Sequence, residues 1–150
     1  MIANTVPYDL VFLVHIIAAV DTVIVFVVMR ASAQAVARGA DLATQRKRFP
    51  KRRNWAARVL HVLPITGLIM SLSGDSSVSL TRPWILMGLV AYFAAAGHLE
   101  ARTLPQEQVI SEVIAHDGVA SPERGRQLTR SIDTLLALIG VALIAMLVQF

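Results

Sequence analysis

Residues Leu10–Met29 read LVFLVHIIAAVDTVIVFVVM. This run contains one imidazole and one carboxylate but no basic residue. Its length matches the ~20 residues a helix needs to cross a ~30 Å hydrocarbon core. A helix that is apolar on every face belongs inside a membrane rather than on the surface of a soluble domain. Three further tracts, Val59–Leu72, Trp84–Gly97 and Leu135–Phe150, are nearly as free of charge. Over all 150 residues 55% are hydrophobic and 16% charged, and the mean hydropathy is +0.61. These values exclude an ordinary water-soluble domain. The class they predict is an all-α, polytopic membrane protein: one domain, residues 1–150, built as a four-helix bundle.

Charge placement predicts the orientation. The net charge is +4 and nine of the 14 basic residues fall between Arg30 and Arg58, opposed there only by Asp41. A second group, Arg102, Arg124, Arg126 and Arg130, follows the third tract, and Arg82 alone lies elsewhere. Under the positive-inside rule both groups are cytoplasmic, which puts the N- and C-termini outside after four crossings of a bacterial inner membrane. The cluster Arg46, Lys47, Arg48, Lys51, Arg52 and Arg53 then lies against anionic lipid, where each basic residue gains roughly 1 kcal/mol. The same placement argues against nucleic acid as the partner. Met1–Asp9 carries no basic residue, so the first tract is expected to remain as a helix instead of being cleaved as a signal peptide.

Local signals bound the elements. Helices are expected at about 8–30, 55–73, 84–101 and 122–149, with cytoplasmic loops at 31–54 and 102–121. Pro7 suits the start of the first helix. The alanine-rich stretch Ala31–Gln45 favours a helical extension before Pro50 ends it. Pro64 removes a hydrogen bond within helix two and leaves the Leu60 carbonyl free, so a kink is expected there. Gly74–Thr81 reads as the outer hairpin. In Gln106–His116, residues Val109, Ile110, Val113 and Ile114 have one-face helical spacing, as in a surface helix lying in the interface. Ser121-Pro122-Glu123 is a helix start with serine as cap, proline in the first turn and glutamate at the positive dipole end. Gly88, Ala91, Ala95, Ala18, Ala19 and Gly140 are small enough for close helix contacts in lipid.

Four polar residues lie within the crossings, and each is costly enough there to call for a role. At ~1.5 Å per residue, His15 lies roughly 6 Å outward of the bilayer centre and Asp21 about 3 Å inward. His61 and His98 fall at nearly one depth, roughly 7 and 9 Å inward. Facing each other, they would form a bis-imidazole site for haem b or part of a transition-metal site; hydrogen bonds to backbone carbonyls are the alternative. His15, roughly 13 Å from that pair along the membrane normal, needs a separate role, as a metal ligand or within a small polar helix face with Ala18, Ala19 and Thr22. Asp21 is read as a neutral carboxyl or as one half of an ion pair, in a proton relay, an ion site or a subunit contact. With no cysteine in the chain, thiolate chemistry and disulfides are excluded. There is no phosphate-binding glycine loop, HExxH or serine-nucleophile motif.

Three short motifs carry a resemblance: His15-Ile16-Ile17-Ala18-Ala19 early in helix one, Thr66-Gly67 in helix two and Met146-Leu147-Val148 at the end of helix four. With the basic first loop, they resemble a bacterial family of small four-helix integral membrane proteins of unassigned function. That family is distantly similar to the copper-resistance protein D membrane domain and to the haem-containing bacterial protoporphyrinogen oxidase. The resemblance implies a four-helix fold and matches His15 to a family residue. It departs at Asp21-Thr22, where an aromatic-plus-glycine stretch is usual, and after Val148, where a lysine-proline ending is missing. Three readings follow. The first is a non-catalytic membrane protein that forms homo-oligomers or serves as a subunit of a larger membrane complex. The others are a haem-binding or electron-transfer subunit using His61 and His98, and a small transporter or metal-handling protein using His15 and Asp21.

Overall fold

The computed structural model describes residues 8–50, 54–72, 82–116 and 118–148. The expected outer hairpin Gly74–Thr81, the basic residues Lys51, Arg52 and Arg53, and the N-terminal segment through Pro7 lie outside these described residues. Among them the secondary structure is entirely helical: α1 (Tyr8–Ala37), α2 (Leu42–Arg48), a 3-10 segment (Ala56–His61), α3 (Val62–Leu72), α4 (Pro83–His98), a π turn (Leu99–Thr103), α5 (Leu104–His116) and α6 (Pro122–Val148). Three continuous helices, Tyr8–Ala37, Pro83–His116 and Pro122–Val148, are long and apolar enough to cross a membrane, and Ala56–Leu72 is a shorter apolar one. The fold is that of a helical membrane protein.

Each helix boundary has a local cause. The extension of α1 stops at Ala37, short of Pro50. Gly39 takes a left-handed φ of 77° while its amide bonds to Val36 and that of Ala40 bonds back to Ala35. This closing motif satisfies the last carbonyls and needs glycine at the left-handed position. Asp41 then restarts the chain, its carboxylate accepting from the Thr44 amide at the head of α2. The kink expected at Pro64 is a change of helix type. Residues Ala56–His61 wind as a 3-10 helix, so the proline falls in the first turn of α3, where a missing amide is tolerated.

Helix three runs on where a loop is expected at 102–121. Pro83–His116 is continuous for 34 residues, with one π turn in which Leu104 donates to Leu99. The wider turn directly precedes Pro105, whose ring would clash with a regular α-helical carbonyl. Leu104–His116 therefore does not lie separately in the interface. Its residues Ile110 and Ile114 are buried against protein, because α5 packs on α2 and α6.

The bundle is ordered α3–α1–α6–α4, with α1 against α6 as a central antiparallel pair. At the basic end a core of large side chains, among them Leu99, Ile110, Ile114, Leu128 and Ile132, is closed from solvent. In water, burying such a side chain stabilises by about 1.5–3 kcal/mol. Within the apolar region that drive is absent and small residues set the approach. Ala18, Gly88, Ala91, Ala95 and Ala145 are accordingly buried there. Gly88 faces Met146 as expected of a contact, whereas the space beside Gly140 is open. The closest backbone approach is at Gly125 of α6, where a Cβ would collide with the backbone of Val36 and Ala37. Buried Gln45 joins α2 to the α5–α6 connection, its side chain accepting from the Ala120 amide at 2.9 Å and donating to the Ala40 carbonyl at 2.9 Å.

Candidate functional site

The four intramembrane polar residues are dispersed into separate environments. His15 faces inward from α1 and is buried, with Nδ1 2.7 Å from the hydroxyl of Thr66 on α3. That hydroxyl also lies 2.9 Å from the carbonyl of Val62 and 3.1 Å from that of Leu63 in its own helix. The hydroxyl has one proton for these three neighbours, and the tautomer of His15 sets which of the two side chains donates in the His15–Thr66 bond. A Cβ added at Gly67 would meet the Cε1 of His15 at 3.8 Å, an ordinary contact, so Gly67 lies beside the imidazole without being required there. The helix-one histidine and the Thr66-Gly67 pair, 51 residues apart, form one buried contact.

His61 and His98 do not share a site. His61 stands where the 3-10 segment meets α3, with Nδ1 2.9 Å from the hydroxyl of Tyr92 and Nε2 3.4 Å from Glu100. Glu100, in the π turn, also receives a two-point pair from Arg58 at 3.0 and 2.9 Å. The Arg58 guanidinium lies 5.1 Å from the Trp55 ring centre. A polar chain Tyr92–His61–Glu100–Arg58 thus bridges the second and third helices at the basic end. His98 points to α6, its Nε2 3.1 Å from the Ser131 carbonyl and 3.0 Å from its hydroxyl. The Ser131 hydroxyl in turn meets Thr103 at 2.8 Å. Residues two apart on a helix differ by roughly 200° in direction, so His98 and Glu100 serve opposite sides of one helix. Similar depth does not make the two histidines face each other. The carbonyl ligand expected for one of them is Ser131, not the Leu60 carbonyl released by Pro64.

Asp21 is exposed on the outer side of α1, among the exposed apolar residues Ile17, Val20, Ile24 and Val28. No hydrogen bond or ion pair reaches it among the described residues. Arg30 on the same helix pairs with Asp133 of α6. Asp21 is nine positions before Arg30, or roughly 13 Å of helix away from it.

Among the described residues no group of three or more His, Asp or Glu side chains is arranged to hold a metal ion. Of the lipid-surface cluster, Arg46, Lys47 and Arg48 occupy the last turn of α2, where positive charge suits the helix dipole. Tyr92, Glu100, Thr103 and Ser131 were not legible as partners, because only the rotation of each helix brings them to the histidines. Thr66 alone carried a sequence signal, within its Thr66-Gly67 pair. The chain matches no family model, no curated protein and no solved structure.

Proposed function

We propose that the protein is a non-catalytic, four-crossing subunit of a bacterial inner membrane, with both termini outside and both longer loops cytoplasmic, that docks through the Asp21 face of α1. The observation that carries this reading is Asp21 itself, a carboxylate set in the middle of an apolar outer surface with no partner within the described chain. An unpaired ionised aspartate at that depth costs about 3 kcal/mol on insertion scales, and a donor from another chain removes that cost. No Lys or Arg lies within the apolar tracts, and His15, His61 and His98 are each hydrogen bonded. A second copy therefore offers Asp21 no Lys or Arg from its apolar tracts, whereas a different subunit can offer a cation.

Purification in mild detergent with and without Asp21→Asn tests the proposal. Wild type is expected to run as a complex that the variant weakens or dissociates. A variant that is more stable and retains every partner overturns it. For topology, a cysteine at Ser76 should be labelled from outside by an impermeant thiol reagent and one at Ser121 should not; the reverse pattern overturns the orientation. The haem reading requires His61 and His98 to leave Tyr92, Glu100 and Ser131, so the purified protein is expected to show no Soret band.

A further inference from the structure

The outward surface of α1 has an order that its all-round apolarity conceals. The exposed residues Leu10, Val14, Ile17, Asp21, Ile24 and Val28 succeed one another at steps of four, three, four, three and four. Those steps are the seven-residue repeat of a helix seam, which packs left-handed on a neighbour at a crossing angle of about 20°. From Leu10 to Val28 the seam runs roughly 27 Å, close to the full length of the first apolar tract. It is separate from the inward stripe of His15, Ala18, Thr22 and Phe26, which is buried within the bundle.

Five of the six seam residues are bulky and apolar, and the sixth is Asp21. A stripe that met lipid alone would gain nothing from a carboxylate, whereas a helix seam uses a single polar member to fix register and partner. Ile17 and Ile24 flank Asp21 along the seam and give it no polar neighbour. A chain segment that reaches the carboxylate has to cross the same apolar phase with its own backbone hydrogen bonds satisfied, which a helix does. The seam contains no glycine or alanine, so the two helix axes stand about 8–10 Å apart unless the other helix supplies small residues. Lys and Arg combine the reach to span that gap with the charge opposite to Asp21. A second copy brings neither residue from its apolar tracts.

We propose that the occupant of this seam is a transmembrane helix of another protein, packed left-handed along Leu10–Val28 with a Lys or Arg level with Asp21. The inference rests on the docking reading of Asp21 given above and adds the partner's form, charge and register. Ile17 and Ile24 then close over the ion pair from either side and exclude lipid from it. A cation placed a turn or two away would leave both charges unpaired in the apolar phase, so the pair selects one register.

The test is energy transfer in phosphatidylcholine vesicles between the full chain, labelled at Ser121→Cys, and synthetic leucine–alanine helices of about 22 residues. Tryptophans at both ends of each peptide hold its depth. The peptides carry Lys, Asn or Leu at the centre, or Lys moved two turns towards one end. The central-Lys peptide is expected to bind about tenfold more tightly than the other three, the worth of one charge-assisted contact. Asp21→Asn should remove that preference. Ile17→Trp, which obstructs the seam, should weaken binding, while Ile16→Trp, at an exposed isoleucine off the seam, should leave it unchanged. Equal binding of the central-Lys and Leu peptides, Asn binding as tightly as Lys, or equal effects of the two tryptophan variants overturns the inference. Tighter association of two copies of the chain through the seam than with the Lys peptide also overturns it. If Asp21→Asn dissociates a native complex while the Lys peptide shows no preference, the docking reading stands and the cationic helix falls.

Discussion

Arg30 and Asp133, 103 residues apart in sequence, form an ion pair across the α1–α6 contact. Each closes the charged side of its own apolar crossing, so the pair aligns the two central helices in depth. Both side chains remain partly exposed, at 38% and 45%, and the pair therefore acts on register more than on total stability. Arg30→Asp should lower the thermal midpoint in detergent by a few degrees. The exchange Arg30→Asp with Asp133→Arg should recover most of that loss. An exchanged protein no better than the single variant would show that the pair does not set the register.

Gly125 is where α6 comes closest to the end of α1. A methyl group there meets main chain, not a side chain that could swing aside. Gly125→Ala should therefore destabilise by about 1–3 kcal/mol, as overpacking does. Gly140→Ala, facing open space, should be close to neutral. Thermal unfolding of the two variants side by side checks the contrast.

The His15–Thr66 contact joins α1 to α3 in a buried setting. Thr66→Val keeps the shape of the side chain but leaves the buried Nδ1 without its partner, and should cost about 1–3 kcal/mol. Thr66→Ser retains the hydroxyl and should cost less. Equal losses in the two variants would attribute the effect to packing of the methyl group instead of the hydrogen bond.

At the head of α2 the Thr44 backbone amide, bonded to the Asp41 carboxylate, holds that carboxyl below its usual value of 3.8. A lowered folded value means that the stabilisation is complete above the ordinary carboxylate value and is lost as the pH falls through the folded one. Hydrogen exchange of amides 42–48 should be faster in Asp41→Ala than in wild type at pH near 7. The ratio of the two rates should approach one in strong acid, where the wild-type cap is also protonated. A ratio independent of pH would show that the cap acts without its charge.

The chain by itself determined the helical membrane class, because apolar content and run length are properties of each segment alone. The start of α6 at Pro122 and the buried small residues Gly88, Ala91 and Ala95 were legible for the same reason: capping chemistry and side-chain size are local. Position along each helix was also legible, since rise per residue is fixed: His15 meets Thr66, apart from the partners of His61 and His98. Direction was not. Whether His98 turns to His61 or to Ser131 depends on how α4 is rotated against α6, and that rotation is set by contacts between segments tens of residues apart. The same limit hid Gly125, which lies in a polar stretch and becomes a close contact only when α1 ends beside it. It also hid the fate of Leu104–His116, whose apolar face suits lipid and protein equally until α2 and α6 are present to cover it. The tertiary structure left Asp21 on the outer surface because the inward face of α1 was already taken by His15, Ala18, Thr22 and Phe26, and a helix has room for one such stripe.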